Sequence, residues 1–139
     1  MMILLDTNAL VALIEPRDEL APRASADFER VRARTLLLPT AILAESLHFL
    51  PHASQRARLR ALLDAAAIEL YAVAEDHALL DEVLDWLEKY AEHSPDFADA
   101  LLAVLCGRDR RLSVWSYDAE FTSVWRRPHG ARIPMAFRR

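Results

Sequence analysis

Glycine is scarce in this sequence. Only 2 of its 139 residues are glycine, Gly107 and Gly130, and they stand far apart. Globular proteins use glycine for about 7% of their residues. A phosphate-binding loop of the G-x-G-x-x-G or G-x-x-x-x-G-K type needs two or three glycines at fixed spacing. The scarcity therefore excludes nucleotide binding through such a loop.

Cysteine and long apolar runs are also scarce. The single cysteine, Cys106, cannot form an intramolecular disulfide, so a reducing compartment is expected. Its apolar run, residues 100–106, is far shorter than the roughly 20 residues of a membrane helix. The first residues lack the basic segment of a secretory signal. We therefore expect a cytoplasmic protein with no membrane association.

Basic residues do not dominate either. The sequence has 17 Lys and Arg against 21 Asp and Glu, which gives a formal net charge of −4. A protein of this charge lacks the basic footprint of tight nucleic-acid binding through charge alone.

The pattern that is present is one of short apolar runs separated by helical segments, which predicts an α/β protein with a mainly parallel sheet. The length predicts a single domain over residues 1–139. Strands are expected at residues 2–5, 36–38, 68–73 and 112–115, and a further short strand near Ile133 gives a sheet of four to five strands. Helices are expected at residues 9–14, 23–32, 41–50, 52–66, 76–91 and 96–106, with Gly107 capping the last.

Five acids stand at notable places in this pattern. Asp6 follows the first strand and Asp118 follows the fourth, while Asp96 and Asp99 share one face at the start of a helix. Glu45 lies in the middle of an apolar helix, where a carboxylate is costly to bury unless it is paired or binds a metal. Parallel sheets bind ligands at the carboxyl ends of their strands, so a shared cleft is expected there.

Each acid also has a local structural explanation. Asp6 and Asp96 could cap helices, Asp118 could be a turn residue, and Glu45 could lie on an exposed helix edge. Taken together, the acids predict an all-oxygen cation site. Carboxylates without histidine or thiolate partners suit Mg²⁺ or Mn²⁺. Such ions polarise phosphoryl oxygens and activate water.

Four segments resemble, in order, the conserved segments of PIN-domain nucleases. They are residues 2–10 (MILLDTNAL), 40–45 (TAILAE), 96–103 (DFADALLA) and 114–121 (VWSYDAEF). Their order and spacing agree with the family along nearly the whole chain. The length is similar to that of VapC-type toxins of toxin–antitoxin pairs.

The resemblance implies a three-layer α/β/α fold and Mg²⁺- or Mn²⁺-dependent cleavage of RNA phosphodiester bonds. It also implies a cognate antitoxin and a homodimer as partners. By resemblance the main metal ligands are Asp6, Glu45 and Asp99, and Asp118 completes the catalytic acidic set. Asp96 is an additional candidate ligand. Asn8 and Ser116 are polar supports, and Ser116 stands where the family commonly has threonine.

Two alternatives remain at this point. The first is a housekeeping PIN nuclease in RNA processing, and the second is a non-catalytic PIN-fold module that binds a protein or RNA. The complete set of acids speaks against the second. When the five candidate acids are left out, the net charge of −4 becomes +1. The acidic total therefore does not exclude RNA as the substrate.

Overall fold

The computed structural model describes residues 1–74 and 76–138. Within them, strands alternate with helices along most of the chain. The strands are β1 (Met2–Leu5), β2 (Thr35–Pro39), β3 (Glu69–Tyr71) and β4 (Leu112–Trp115). The helices are α1 (Thr7–Ile14), α2 (Ala21–Val31), α3 (Thr40–Phe49), α4 (Ala53–Ala65), α5 (His77–Lys89), α6 (Phe97–Arg108) and α7 (Glu120–Ser123), with one 3₁₀ turn at Ala91–His93.

The four strands form one sheet in the order β3-β2-β1-β4, and every pairing between them is parallel. Along the chain, β2 and β3 are added on one side of β1, and β4 is then added on the other side. The direction in which strands are added therefore reverses between β1 and β4. A reversal of this kind opens a crevice at the carboxyl ends of the two strands, and ligands of open α/β sheets bind there.

The helices cover both faces of the sheet. Crossovers between parallel strands are right-handed, so a reversal of building direction moves the connecting helices to the opposite face. The packing follows this rule, because α1 lies against α2, α3 and α4, whereas α5 lies against α6. The predicted three-layer α/β/α architecture is thus confirmed.

The core explains why the strands are continuous apolar runs. Residues 3–5 of β1 and all of β4 are buried, since helices cover both sides of the sheet. Residues 100–106 of α6 are buried without interruption. A helix that is apolar on all sides is one enclosed by its neighbours.

The predicted fifth strand does not form within the described residues. The backbone N–H of Val114 donates to the carbonyl of Pro134 at 2.8 Å, and the N–H of Ala136 donates to the carbonyl of Val114 at 2.8 Å. Pro134 has no N–H to extend this ladder. The segment consequently makes a single parallel bridge, between Val114 and Met135, beside the outer edge of β4.

The sequence predicted that Gly107 caps the C-terminus of α6, but the structure shows that it does not. The helix continues through Arg108, and Asp109 is its C-terminal cap. A Cβ atom at position 107 would lie 2.9 Å from Cδ of Pro128. Glycine is therefore placed here by the close approach of the C-terminal segment.

We expect Gly107→Ala to lower the free energy of unfolding by about 1 kcal/mol or more, because overpacking against a rigid ring costs about 1–3 kcal/mol. Urea denaturation measures this. In a Pro128→Ala background the same substitution should be neutral or stabilising, since alanine has a helix propensity about 1 kcal/mol better than glycine. Equal effects in both backgrounds would contradict the explanation.

Candidate active site

A cavity of about 300 Å³ opens at the carboxyl ends of β1 and β4. All five candidate acids contribute to its wall, although they come from four separate parts of the chain. The lining residues are Asp6, Thr7, Asn8, Val11, Asp18, Glu45, Phe49, Asp96, Asp99 and Asp118.

Asp6 lies at the junction of β1 and α1 and is buried, with 6% of its surface exposed. Its Oδ1 accepts a hydrogen bond from the N–H of Thr7 at 2.8 Å, and its Oδ2 accepts one from the Ser116 hydroxyl at 2.7 Å. Burial raises the pKa of Asp6 to about 6 although these two hydrogen bonds oppose the shift. The negative charges of Asp96 and Glu45 add to the increase in this pKa.

Ser116 connects the ends of β1 and β4. Its hydroxyl donates to Asp6 and accepts from the Asn8 amide at 3.2 Å and from the N–H of Asp118 at 3.1 Å. The side-chain Oδ1 of Asn8 accepts a hydrogen bond from the backbone N–H of Tyr117 at 3.0 Å. The two residues predicted as polar supports therefore form one network with Asp6, and the hydroxyl that replaces the family's threonine takes part in it.

Asp96 and Asp99 form a reciprocal pair at the start of α6. The N–H of Asp99 donates to Oδ1 of Asp96 at 2.9 Å, and the N–H of Asp96 donates to Oδ2 of Asp99 at 3.1 Å. This capping box confirms the helix-cap interpretation of Asp96. Burial raises the pKa of Asp99, and the negative charges of Asp96 and Asp6 raise it further. The hydrogen bond that the backbone N–H of Asp96 donates to Asp99 lowers it.

Glu45 and Asp118 complete the acidic wall. Glu45 is half-buried on α3, and burial raises its pKa, followed by the charge of Asp96. Asp118 lies in the loop after β4, where its Oδ1 accepts from the N–H of Glu120 at 2.9 Å. Its turn interpretation is confirmed, and the same residue faces the cavity.

The sequence pattern did not single out four of the lining residues: Thr7, Val11, Asp18 and Phe49. Asp18 lies in the loop between α1 and α2, and its Oδ1 accepts from the N–H of Leu20 at 2.8 Å. Its local sequence is that of an ordinary loop. Phe49 ends α3 with 57% of its surface exposed. An aromatic residue four positions after Glu45 on one helix shares its face, which is the signal that could have found it.

The negative charge of the site has no basic counterpart. Within residues 1–74 and 76–138, none of the five candidate carboxylates forms an ion pair. The lining itself contains no arginine, lysine or histidine. Buried and clustered carboxylates of this kind are stabilised by a cation.

The donor set fits a divalent cation in its chemistry, because the side-chain donors of the wall are all oxygens apart from the Asn8 amide nitrogen. In the described part of the chain, however, no three His, Cys, Asp or Glu side chains converge closely enough to hold one ion. The carboxylates share one cavity while several of them are turned toward backbone N–H groups.

The sequence matches the PIN domain family over residues 3–126. The chain belongs to the PIN domain family. This PIN domain is similar in structure to VapC20 of Mycobacterium tuberculosis, whose crystal structure is described as that of a sarcin–ricin loop cleaving toxin. The TM-score is 0.68 and the identity 20%, and the match covers 87% of this chain and 93% of that one. At this identity the likeness shows a shared fold.

No curated protein matches the sequence of this PIN domain. No helix within the described residues is both long enough and apolar enough to cross a membrane.

The raised pKa of Asp6 predicts a pH-dependent effect of Asp6→Asn on stability. Because the folded pKa of about 6 exceeds the ordinary aspartate pKa of 3.8, protonation of Asp6 stabilises the fold. That contribution is complete below about pH 4 and is lost as the pH rises through 6. Above this range the charged form costs about 3 kcal/mol, while asparagine stays neutral and caps helices equally well.

The stability gain of Asp6→Asn over wild type should therefore grow between pH 4 and 7 in urea denaturation with EDTA. Asp81→Asn is the matched control, since Asp81 is an exposed carboxylate on α5 outside the cavity. A gain that is independent of pH would contradict the role assigned to burial.

Proposed function

We propose that this PIN-domain protein is a metal-dependent endoribonuclease that cleaves RNA phosphodiester bonds by hydrolysis, with the five-carboxylate cavity as its active site. The observation that carries the proposal is the cavity itself. Five carboxylates without an ion-pair partner in the described residues line one crevice at the β1–β4 reversal. Capping and turn hydrogen bonds account for Asp6, Asp96 and Asp118 at this edge, but they do not account for Glu45, which lies in the middle of α3 and lines the same crevice.

In this proposal Asp6, Glu45, Asp99 and Asp118 hold Mg²⁺ or Mn²⁺, and Asp96 is an additional candidate ligand. When bound, such an ion polarises a phosphoryl oxygen and lowers the pKa of water. Ligation is compatible with the capping hydrogen bonds, because Asp99 and Asp118 each use only one carboxylate oxygen for a backbone N–H. The other oxygen of each is left for the cation.

Neighbouring polar groups hold the carboxylates of the site in position. Ser116 and the N–H of Thr7 fix both oxygens of Asp6, and Asn8 ties the loop after β4 to the start of α1. No serine, cysteine or histidine is among the lining residues that the structure describes, and the hydroxyl oxygen of Thr7 is buried from solvent. This supports direct attack by water on phosphorus, with loss of the bond to the leaving ribose oxygen, over a covalent enzyme intermediate.

We further propose that the protein is the toxin of a toxin–antitoxin pair. The support is its membership of the PIN family and its fold likeness to VapC20 across most of both chains. A cognate antitoxin would inhibit it, and an arginine of that partner would complement the acidic cavity. A homodimer is the expected form of the toxin.

Purified protein incubated with total RNA and Mg²⁺ or Mn²⁺ should cleave it. Asp99→Asn should reduce the cleavage rate by about 100-fold or more, because loss of a metal-holding carboxylate removes several kcal/mol of transition-state stabilisation. Gel analysis of the RNA measures this, with Asp81→Asn as the matched carboxylate control. Cleavage that persists in Asp99→Asn or in EDTA would refute the metal-dependent mechanism.

Expression in cells separates the toxin from the housekeeping role. A toxin arrests growth, Asp99→Asn abolishes the arrest, and a small neighbouring gene encodes the antitoxin. A housekeeping nuclease cleaves RNA without arrest. A non-catalytic module shows neither activity.

Metal binding should also raise thermal stability independently of catalysis. Mn²⁺ at a fixed concentration, 100 times its Kd at pH 7.5, should stabilise the wild type by about 2.7 kcal/mol at that pH, because it binds only the folded site. The increase in Tm should be larger at pH 7.5 than at pH 5, since Asp6, with a pKa of about 6, must lose its proton to bind the ion. Differential scanning fluorimetry measures this. An equal increase in Asp99→Asn would show that the ion binds elsewhere.

A further inference from the structure

Phe49 is an exposed aromatic residue at the acidic cavity. It ends α3, and 57% of its surface is accessible. The α3 residues Ile42 and Ser46 are fully buried, as is Leu50 just after the helix, so the inward packing does not depend on Phe49. The aromatic neighbour of Phe49 is His48, whose ring meets it edge-on with the centroids 5.8 Å apart.

The surroundings of this ring are otherwise polar and acidic. Besides Phe49, Val11 is the single apolar side chain among the cavity-lining residues that the structure describes. Six of the lining residues are carboxylates, with Asp18 added to the five candidates. Phe49 is set apart from the other exposed apolar side chains by its place in the cavity wall, where its ring offers an apolar, aromatic face to a ligand.

The charge of the cavity limits how RNA can be held there. Most proteins hold nucleic acid by contacts of arginine and lysine with phosphate, but neither residue lines this cavity. A bound cation would engage the phosphate at the reacting bond only. Further affinity at this place must come from contacts without charge. Stacking of a base on an aromatic ring is such a contact, and it tolerates every base.

We propose that the ring of Phe49 is a stacking platform for an unpaired base of the RNA, next to the bond that is cleaved. This inference rests on the proposed nuclease function and assigns Phe49 as one contact with the RNA. The contact requires a base that is not stacked within a helix.

Binding measurements test this inference apart from cleavage. A labelled single-stranded RNA of roughly 10 nucleotides, within the usual range of binding-site sizes, is titrated with the full chain by fluorescence anisotropy. Ca²⁺ replaces Mg²⁺, and a denaturing gel verifies that the RNA stays intact. The variants are Phe49→Ala, Phe49→Leu and Phe49→Tyr. Leu84→Ala is the matched control, since Leu84 on α5 is 52% exposed and lies outside the cavity.

Phe49→Ala and Phe49→Leu should raise Kd by about 5- to 100-fold, the range expected for one stacked base. Phe49→Tyr should bind like the wild type because it keeps the ring, and so should Leu84→Ala. The loss should disappear with an RNA that lacks the stacked base or is held in a duplex. In cleavage assays it should appear in KM with kcat retained, since stacking is equal in ground and transition states.

Wild-type affinity in Phe49→Leu would overturn the inference in favour of a general apolar contact, such as one with a protein partner. Unchanged binding in Phe49→Ala, or no RNA binding by the wild type, would also overturn it. If the wild type cleaves RNA while Phe49→Ala binds and cleaves equally well, the stacking role fails and the nuclease function stands. If base-dependent binding through Phe49 is seen without cleavage by any form, the nuclease function fails instead.

Discussion

The burial of one carboxylate, that of Asp6, is the constraint on which the rest of the site depends. Strand β1 lies inside the sheet and passes directly into α1, so the residue between them has almost no access to water. Its charge is stabilised by the N–H of Thr7, the start of α1 and the Ser116 hydroxyl. Because Ser116 belongs to the segment after β4, this one charge also fixes how the ends of two adjacent strands meet. The other acids are arranged around that junction.

Helix capping and cation binding are compatible uses of the same residues. Asp6 and Asp96 are the N-terminal caps of α1 and α6, and Asp118 orders the turn before α7. A capping residue lies at the N-terminus of its helix. In a parallel α/β sheet, the N-terminus of each helix that follows a strand lies at the carboxyl edge of the sheet, where ligands bind. The topology of the sheet therefore places these capping and turn residues around one cavity. For Asp96 and Asp118, one carboxylate oxygen serves the backbone and the second is left for a ligand.

The strand ends and most of the acidic wall could be predicted from the sequence because they depend on local patterns. An apolar run followed directly by aspartate marks β1, and an apolar run with aspartate three residues beyond its end marks β4. An acid three residues after another marks the start of α6. The use of Gly107 could not be predicted, since its reason is the distant Pro128. Phe49 shares a helix face with Glu45, which is a local signal, but its exposure at the cavity depends on the tertiary packing of α3. The missing fifth strand, by contrast, had a local signal in Pro134 that outweighs the apolar residues around it.

The distribution of charge explains how an acidic protein can act on a polyanion. The five candidate acids account for more than the whole net charge of −4, because the remainder of the chain carries +1. The repulsion of RNA is therefore concentrated where a cation would bind, and it would be removed by the ion that the proposed chemistry requires. In a cavity without basic residues, salt screens repulsion and does not displace phosphate contacts. In the proposed nuclease, affinity at the site would then depend on the metal and on neutral contacts, so that empty carboxylates would repel RNA and a loaded site would admit it.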